Sequence, residues 1–345
     1  MSEVNEQAVI DFYCYPPLGS EDWRYAFATA RARVLESMML TRGVLVDIAN
    51  AATYEDALEL LNGSDYAMSG GANFSEVETM LLARRSEARN LFVELIEDEE
   101  LIELLRARED FANMRLAVRR VVTERPIGSD YSDEGSVAAE EFEEIFEQEN
   151  YERFPQYLQE AVEEAVLGYY EAKDIRKIDY GIDRVQAQYK LRKAKELGSV
   201  FLESFFRIQN DLTNIRTMLR LKLADRDEKS LFLLPGFVGH DRLIHALDIG
   251  YEALAPLFFS TPYHDIVEGG VSYLTSENSF LVLEKLCEEY VVGFLRSALL
   301  ISSGVQPVIA YFLLKEIEIR TVRMLLSGKN NGLDAKMLRD RLCQA

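Results

Sequence analysis

Few residues in this sequence have the type and spacing to do chemistry by themselves. Its three histidines are His240, His245 and His264, and none stands in the His-Glu-x-x-His pattern that puts two metal ligands and a base on one helix face. No Glu-x-x-His pair offers the ligands of a di-iron bundle. The Gly-x-Ser-x-Gly elbow and the Gly-x-Gly-x-x-Gly turn are also missing. Ser327-Gly328-Lys329-Asn330-Asn331-Gly332 comes nearest to a phosphate loop. Such a loop needs an earlier glycine, and a hydroxyl after the lysine to hold magnesium. Here the first glycine is absent and Asn330 replaces the hydroxyl, so the string reads as a helix end with Gly328 as its left-handed cap. No catalytic residue, metal, cofactor or directly bound nucleotide is expected.

Two kinds of charged residue remain. The chain has 345 residues and a net charge of −21, which argues against binding nucleic acid, since that needs a basic footprint. The charge is uneven. Between Asp130 and Glu164 there are thirteen acidic residues and one basic residue, Arg153. They are strung along the sequence among Phe142, Ile145 and Phe146, which reads as the solvated face of a helix, with a docking surface as the alternative. The arginines, by contrast, recur. Asp110-Phe-Ala-Asn113-Met114-Arg115 with Arg119 is matched 101 residues later by Asp211-Leu-Thr-Asn214-Ile215-Arg216 with Arg220. A looser copy, Glu318-Ile319-Arg320 with Arg323, follows 104 residues on. An apolar–acidic pair precedes each copy: Val77-Glu78, Ile182-Asp183 and Leu283-Glu284. Thr53-Tyr54-Glu55-Asp56 also resembles Thr261-Pro262-Tyr263-His264-Asp265. A need that recurs in every copy is structural, so each arginine is expected to pair with an acid on a neighbouring helix of its own copy.

These residues must be carried by helices, because most of the chain reads at helical period. Tyr25–Leu40 puts Phe27, Ala30, Val34, Ser37 and Met38 on one side. Further helices are expected over Ser75–Ile96, Leu101–Val122, Pro155–Lys173, Ile182–Glu196, Val200–Leu223, Asp241–Leu257, Phe280–Ile301 and Val308–Leu326. Only Ala8–Tyr15 invites a strand. The most apolar stretch, Val291–Leu314, contains Arg296, Gln306 and Pro307, and reads as buried helix broken near Gly304–Pro307 rather than a membrane span. The N-terminus has no signal-peptide pattern, and Cys14, Cys287 and Cys343 are too few for a disulfide framework, which suits a reducing, cytosolic setting. The expected architecture is all-α, with three similar helical-bundle domains in tandem at residues 1–126, 127–234 and 235–345, related by pseudo-threefold rotation and bounded by linkers near Pro126 and Pro235.

The sequence resembles the C-subunit family of V/A-type rotary ATPases, whose eukaryotic member is the d subunit. The resemblance is carried by YAFATARARVLESMML, by Leu283-Glu284-Lys285, by the Asp-x-x-Asn-Ile-Arg helix, and by Lys315-Glu316-Ile317-Glu318-Ile319-Arg320 running to Gly328-Lys329. It covers about Tyr25 to Leu333, with the acidic Asp130–Glu149 stretch as a local elaboration. It implies a funnel-shaped, non-catalytic central-stalk component that couples the shaft, made of the D and F subunits, to the membrane rotor ring of c, K or L subunits. It also implies a place on the cytoplasmic face of the membrane, peripheral, within a membrane complex, and a monomer when isolated. Arg120, Lys222 and Lys329, near the ends of the repeated helices, are the candidate partner-binding residues. The alternative is a helical-repeat scaffold for an unrelated protein. An enzyme built from carboxylates and the 17 tyrosines is the remaining rival.

Overall fold

The computed structural model describes residues 16–68, 71–123, 131–233 and 235–343. Among the described residues every regular element is helical, as expected. The strand expected at Ala8–Tyr15, Cys14 and the Pro126 linker lie outside them. In chain order the α-helices are α1 (Ala26–Glu36), α2 (Arg42–Asn50), α3 (Tyr54–Glu59), α4 (Phe74–Leu95), α5 (Glu99–Val122), α6 (Ala139–Glu147), α7 (Gln156–Ala172) and α8 (Arg176–Glu196). They continue as α9 (Val200–Leu223), α10 (His240–Asp248), α11 (Leu254–Leu257), α12 (His264–Glu277), α13 (Leu281–Leu299), α14 (Val305–Asn330) and α15 (Ala335–Arg339).

The helix ends follow from local chemistry. Thr53 and Asn73 each make a reciprocal capping box with the residue three positions on, Asp56 and Glu76, so two orphan N–H groups are satisfied at each start. Asp98 and Ser199 cap α5 and α9 with single side chains. α14 outruns its expected end. Gly328 is helical and buried, and a Cβ on it would meet Leu338 Cδ2 at 2.4 Å. The left-handed cap is Gly332, at φ +68°, with Gly332 N–H donating to Lys329 O and Leu333 N–H to Gly328 O. The phosphate-loop look-alike is therefore a helix end, with its cap four residues later than expected. The long apolar stretch breaks as expected: α13 stops at Leu299, and Pro307 lies in the first turn of α14, where it breaks no ladder bond. The expected Asp241–Leu257 helix is interrupted between α10 and α11.

The contacts gather the chain into two compact units: Asp98–Asp248, and residues 16–97 together with 249–343. The Asp98–Asp248 unit holds α5 to α10. Its core is aromatic. The Tyr157 and Tyr189 rings stack at 4.3 Å, Phe111 lies 5.5 Å from Tyr157, and Phe142 lies 4.8 Å from Phe154. The acidic stretch folds here as α6, which buries Phe142, Ile145 and Phe146 and turns its glutamates outward, two of them to Arg153. It is a solvated helix face.

The other unit is built around α14, against which α1, α2, α3, α4 and α13 pack. Ile48, Leu61, Tyr66, Val77, Leu81, Val322 and Leu325 meet in its core. α1 lies the opposite way from an ordinary amphipathic helix. Its small residues Ala28, Thr29 and Ala32 are buried, so it seats closely on α14, while Phe27 and Val34, and Met38 in the turn after it, face solvent.

The expected placement on the cytoplasmic face of the membrane within a membrane complex does not stand. No helix among the described residues is long and apolar enough to cross a membrane, and that finding assigns the chain no location.

Candidate functional site

The repeated Asp-x-x-Asn pairs sit in the middle of long helices, where such residues ordinarily weaken a helix by competing for backbone hydrogen bonds. Here they reach outward and hold the next stretch of chain. On α5, Asn113 exchanges two bonds of 2.8 Å with the backbone of Ser132, 19 residues downstream. Asp110 accepts from the N–H groups of Ser136 and Val137, 26 and 27 residues downstream, and from the Tyr157 hydroxyl at 2.8 Å. On α9, Asn214 exchanges two bonds of 2.7 Å with Leu233, again 19 residues downstream, and Asp211 accepts from Phe237 and Val238 at 26 and 27. The two sites are one device made twice. Each fixes the chain that enters a nine-residue helix, α6 or α10, against the long helix before it.

Gly135 and Gly236 make the approach possible. A Cβ on Gly135 would lie 2.2 Å from Asp110 Oδ1, and one on Gly236 would lie 2.0 Å from Asp211 Oδ1. Burial pushes the Asp110 carboxyl above the ordinary aspartate range, against the pull of its hydrogen bonds.

The third copy uses other chemistry. On α14, Glu318 is almost wholly buried and accepts from Leu40 N–H at 2.6 Å, from the Tyr66 hydroxyl at 2.7 Å and from Lys315 Nζ at 2.7 Å. Lys315 also reaches Asp65 at 3.1 Å, and its ammonium lies 4.8 Å from the centre of the Tyr66 ring. Leu40 enters α2, itself nine residues long, so the last long helix holds a short helix from the start of the chain.

Arg115, Arg119 and Arg323 depart from expectation, while Arg320 follows it, pairing within its own copy. Arg115 pairs with Asp183 and lies 3.4 Å from Asp179, to which Arg119 also bonds, and both acids are on α8. Arg323 bonds Glu78 on α4 at 2.8 Å, and Arg320 pairs with Glu288 on α13. Arg115, Arg119 and Arg323 thus meet the acid of the following copy in sequence, the third copy returning to the first, rather than an acid of their own copy. α5 packs on α8 and α14 on α4, so these arginines face helices of the following copy.

Each candidate partner-binding residue is engaged close to its own helix end. Lys222 Nζ donates to the carbonyls of Ala246 and Leu247 at 3.2 and 3.1 Å, at the C-terminal end of α10. Lys329 Nζ donates to the Ala51 carbonyl at 2.7 Å, just past α2. Both lysines therefore satisfy orphan carbonyls at the negative end of a short helix. The Arg120 guanidinium lies 5.5 Å from the centre of the Tyr131 ring. Arg120 and Lys222 belong to the Asp98–Asp248 unit and Lys329 to the other. Sequence reasoning finds in the Asp-x-x-Asn pattern only a repeat marker. The equal spacing to Gly135 and Gly236 was the available signal for its role.

One group among the described residues has metal-ligand types close together, His264, Asp265 and Glu268, whose ligand atoms lie within 4.8 Å of one another. The two acids are exposed, as surface acidic clusters commonly are.

The sequence model of the family described as ATP synthase (C/AC39) subunit matches residues 28–341. The chain belongs to that family. It is similar to the C subunit of the V-type sodium ATPase of Enterococcus hirae, at 23% identity over 273 residues, covering 78% of this chain and 82% of that one. It is also similar to the C subunit of the A-type ATP synthase of Thermococcus onnurineus, at 24% over 332 residues, covering 92% and 89%. The corresponding A-type ATP synthase protein of Methanococcoides burtonii gives 23% over 343 residues, covering 92% and 94%. Members of the C/AC39 family are non-catalytic parts of their complexes, so the latches are the features to explain here, not a reaction.

Proposed function

We propose that this C/AC39 protein is the central-stalk piece that couples the shaft, made of the D and F subunits, to the rotor ring during ATP-driven or ATP-forming ion transport. The observation that carries the reading is the nearly end-to-end match to the C subunits of V-type and A-type enzymes. Three similar helical units, over 1–126, 127–234 and 235–345, form a pseudo-threefold funnel in this proposal, and the repeated latch supports it. A part that passes torque must not yield between its helices. Latches that tie each long helix to the next segment by buried hydrogen bonds supply that stiffness, since each is costly to open.

Arg120, Lys222 and Lys329 remain the proposed partner-facing residues. Each of the three is engaged within the chain, Lys222 and Lys329 at a helix end and Arg120 over the Tyr131 ring, so binding by each charge-reversal variant is read beside its melting temperature. The test is reconstitution of the full chain with a detergent-solubilised rotor ring and the D–F pair. A complex bridging both, weakened by Arg120→Glu beyond what any change in its melting temperature accounts for, is the expected result. Failure of the wild-type chain to bind either would overturn the proposal and favour a scaffold for another protein.

A further inference from the structure

The seam between α5 and α8 carries its charges in rungs. Arg115 pairs with Asp183, and Arg119 pairs with Asp179. Four residues forward on α5 are thus four residues back on α8, so the two helices run antiparallel in register. Two helical turns take about seven residues. Seven back from Arg115 stands Arg108, and seven on from Asp183 stands Lys190, so these two share a rung. Further along, Lys193 Nζ lies 3.5 Å from Glu100, so the antiparallel contact continues past them. The rungs on either side join opposite charges. The Arg108–Lys190 rung sets two cations against each other.

Lys190 has no acid of its own. Among the described residues its ammonium makes no hydrogen bond or ion pair. Its neighbour is the Phe206 ring of α9, whose centre lies 5.7 Å away. Asp183, on the same helix, is already bonded to Arg115. α7 and α9 also pack on α8, and among the described residues neither brings a charged group to bear on Lys190. Burial, then Arg108, with Arg115 adding and Asp183 opposing, brings the ammonium down to about 8. At about pH 7.4 roughly a fifth of it is neutral amine, against about one part in a thousand for an ordinary lysine.

A lysine desolvated beside another cation is a nucleophile. Its electrophile here must be small, because Lys190 is half-buried. Its product is favoured if anionic, because Arg108 and Arg115 stand beside it. Carbon dioxide meets both conditions.

We infer that Lys190 is a carbon dioxide site, where a carbamate forms and faces Arg108 across the seam. The amine lone pair attacks the carbon of carbon dioxide, and one C=O π pair moves onto its oxygen. A nitrogen–carbon bond forms, an N–H bond breaks, and the proton goes to solvent. Nothing is oxidised or reduced. The like-charged rung then has the pattern of Arg115–Asp183 and Arg119–Asp179, with the cation on α5 and the anion on α8.

The test places the full-length chain in buffer with carbon-13-labelled bicarbonate at about pH 8 and reads it by carbon NMR. The α-amino terminus, ordinarily near 8, also forms a carbamate, so two resonances are expected. Lys190→Arg should keep only the terminal one. Alkylation of the wild-type sample with a trialkyloxonium salt turns carbamate into an ester that survives digestion. Mass spectrometry then places it on the Lys190 peptide with no variant involved. Arg108→Met, shown folded by its melting temperature in buffer free of carbon dioxide, should cut the Lys190 resonance at least threefold. The wild-type melting temperature should rise with bicarbonate, relative to chloride at equal ionic strength, and that of Lys190→Arg should not. A wild-type spectrum with the terminal resonance alone, or an ester found only on other lysines, overturns the inference. An undiminished resonance in Arg108→Met overturns the pairing across the seam.

Discussion

The latches of the Asp98–Asp248 unit and the latch on α14 solve one packing problem with opposite chemistry. Asp110 and Asp211 each satisfy two adjacent backbone N–H groups, Asp110 taking the Tyr157 hydroxyl as well, and a glycine lets the loop come close. Glu318 satisfies one backbone N–H and then needs Lys315, Tyr66 and Asp65 around it. The difference teaches what each latch catches. Asp110 and Asp211 hold a loop that arrives with two adjacent N–H groups, enough donors for a carboxylate. Glu318 receives only Leu40 from the backbone, so a buried ammonium and a phenol make up the missing donors.

If that contrast is right, the α14 latch is the most fragile to loss of one partner. Lys315→Met leaves Glu318 buried without its cation, and is expected to cost about 3–5 kcal/mol of unfolding free energy, read by urea denaturation. A loss under about 1 kcal/mol would mean that Tyr66 and Leu40 suffice. Next comes Asp211→Ala, which strips the acceptor from the Phe237 and Val238 N–H groups, with an expected loss of about 2–4 kcal/mol. Asp110→Ala should cost at least as much, since it also strips the acceptor from the Tyr157 hydroxyl, and a smaller loss would break the equivalence of the two backbone sites. Gly236→Ala forces a Cβ against Asp211 Oδ1, and should cost about 1–3 kcal/mol, whereas Gly239→Ala, with open space at its Cβ, should be nearly silent. These three series use the same denaturation measurement, so their order is itself the test.

A smaller effect separates the units by pH. Lys190, on α8, is brought down to about 8, by burial first and then by Arg108, with Arg115 adding and Asp183 opposing. The unfolded chain keeps that proton until about 10.4. Between the two values the folded chain has already lost a proton that the unfolded chain retains, so stability rises with pH across this window. Wild type should gain on the order of 1 kcal/mol over Lys190→Met between about pH 7.5 and 10, measured by thermal unfolding at stepped pH. A flat difference would remove the buried-charge account. The smallest effect belongs to the half-exposed pairs. Arg115→Met and Arg323→Met should each cost under about 1 kcal/mol, less at high salt, as solvent-exposed ion pairs do.

Much of this is legible in the sequence. Helical period locates the long helices, and Gln306 and Pro307 rightly turn Val291–Leu314 into two helices rather than a span. The short helices α2, α3 and α15 escape because a handful of residues shows no period, and the 14-residue α12 escapes with them. On α1 the period is right but says nothing of which side is covered. Small residues make the inner face, and a pattern of large apolar residues points the other way. Sequence distance favours arginine pairs within one copy. Arg323 instead reaches Glu78, 245 residues away, and no local signal encodes such a partner. Gly328 ends the apolar run and so reads as a cap, but its lack of a side chain serves Leu338. The candidate lysines do lie at helix ends, where Lys222 and Lys329 meet backbone carbonyls.

The bond from Leu40 to Glu318 spans 278 positions of the chain. During synthesis the donor is made first and its acceptor 278 residues later. At about 5–20 residues per second, α2 waits roughly 14–56 s on the ribosome before the helix that receives it emerges. In that interval Val44, Leu45 and Ile48 have no α14 to lie on. For this unit folding therefore waits on the synthesis of α14, and a ribosome stalled before it strands the apolar face of α2 on the nascent chain.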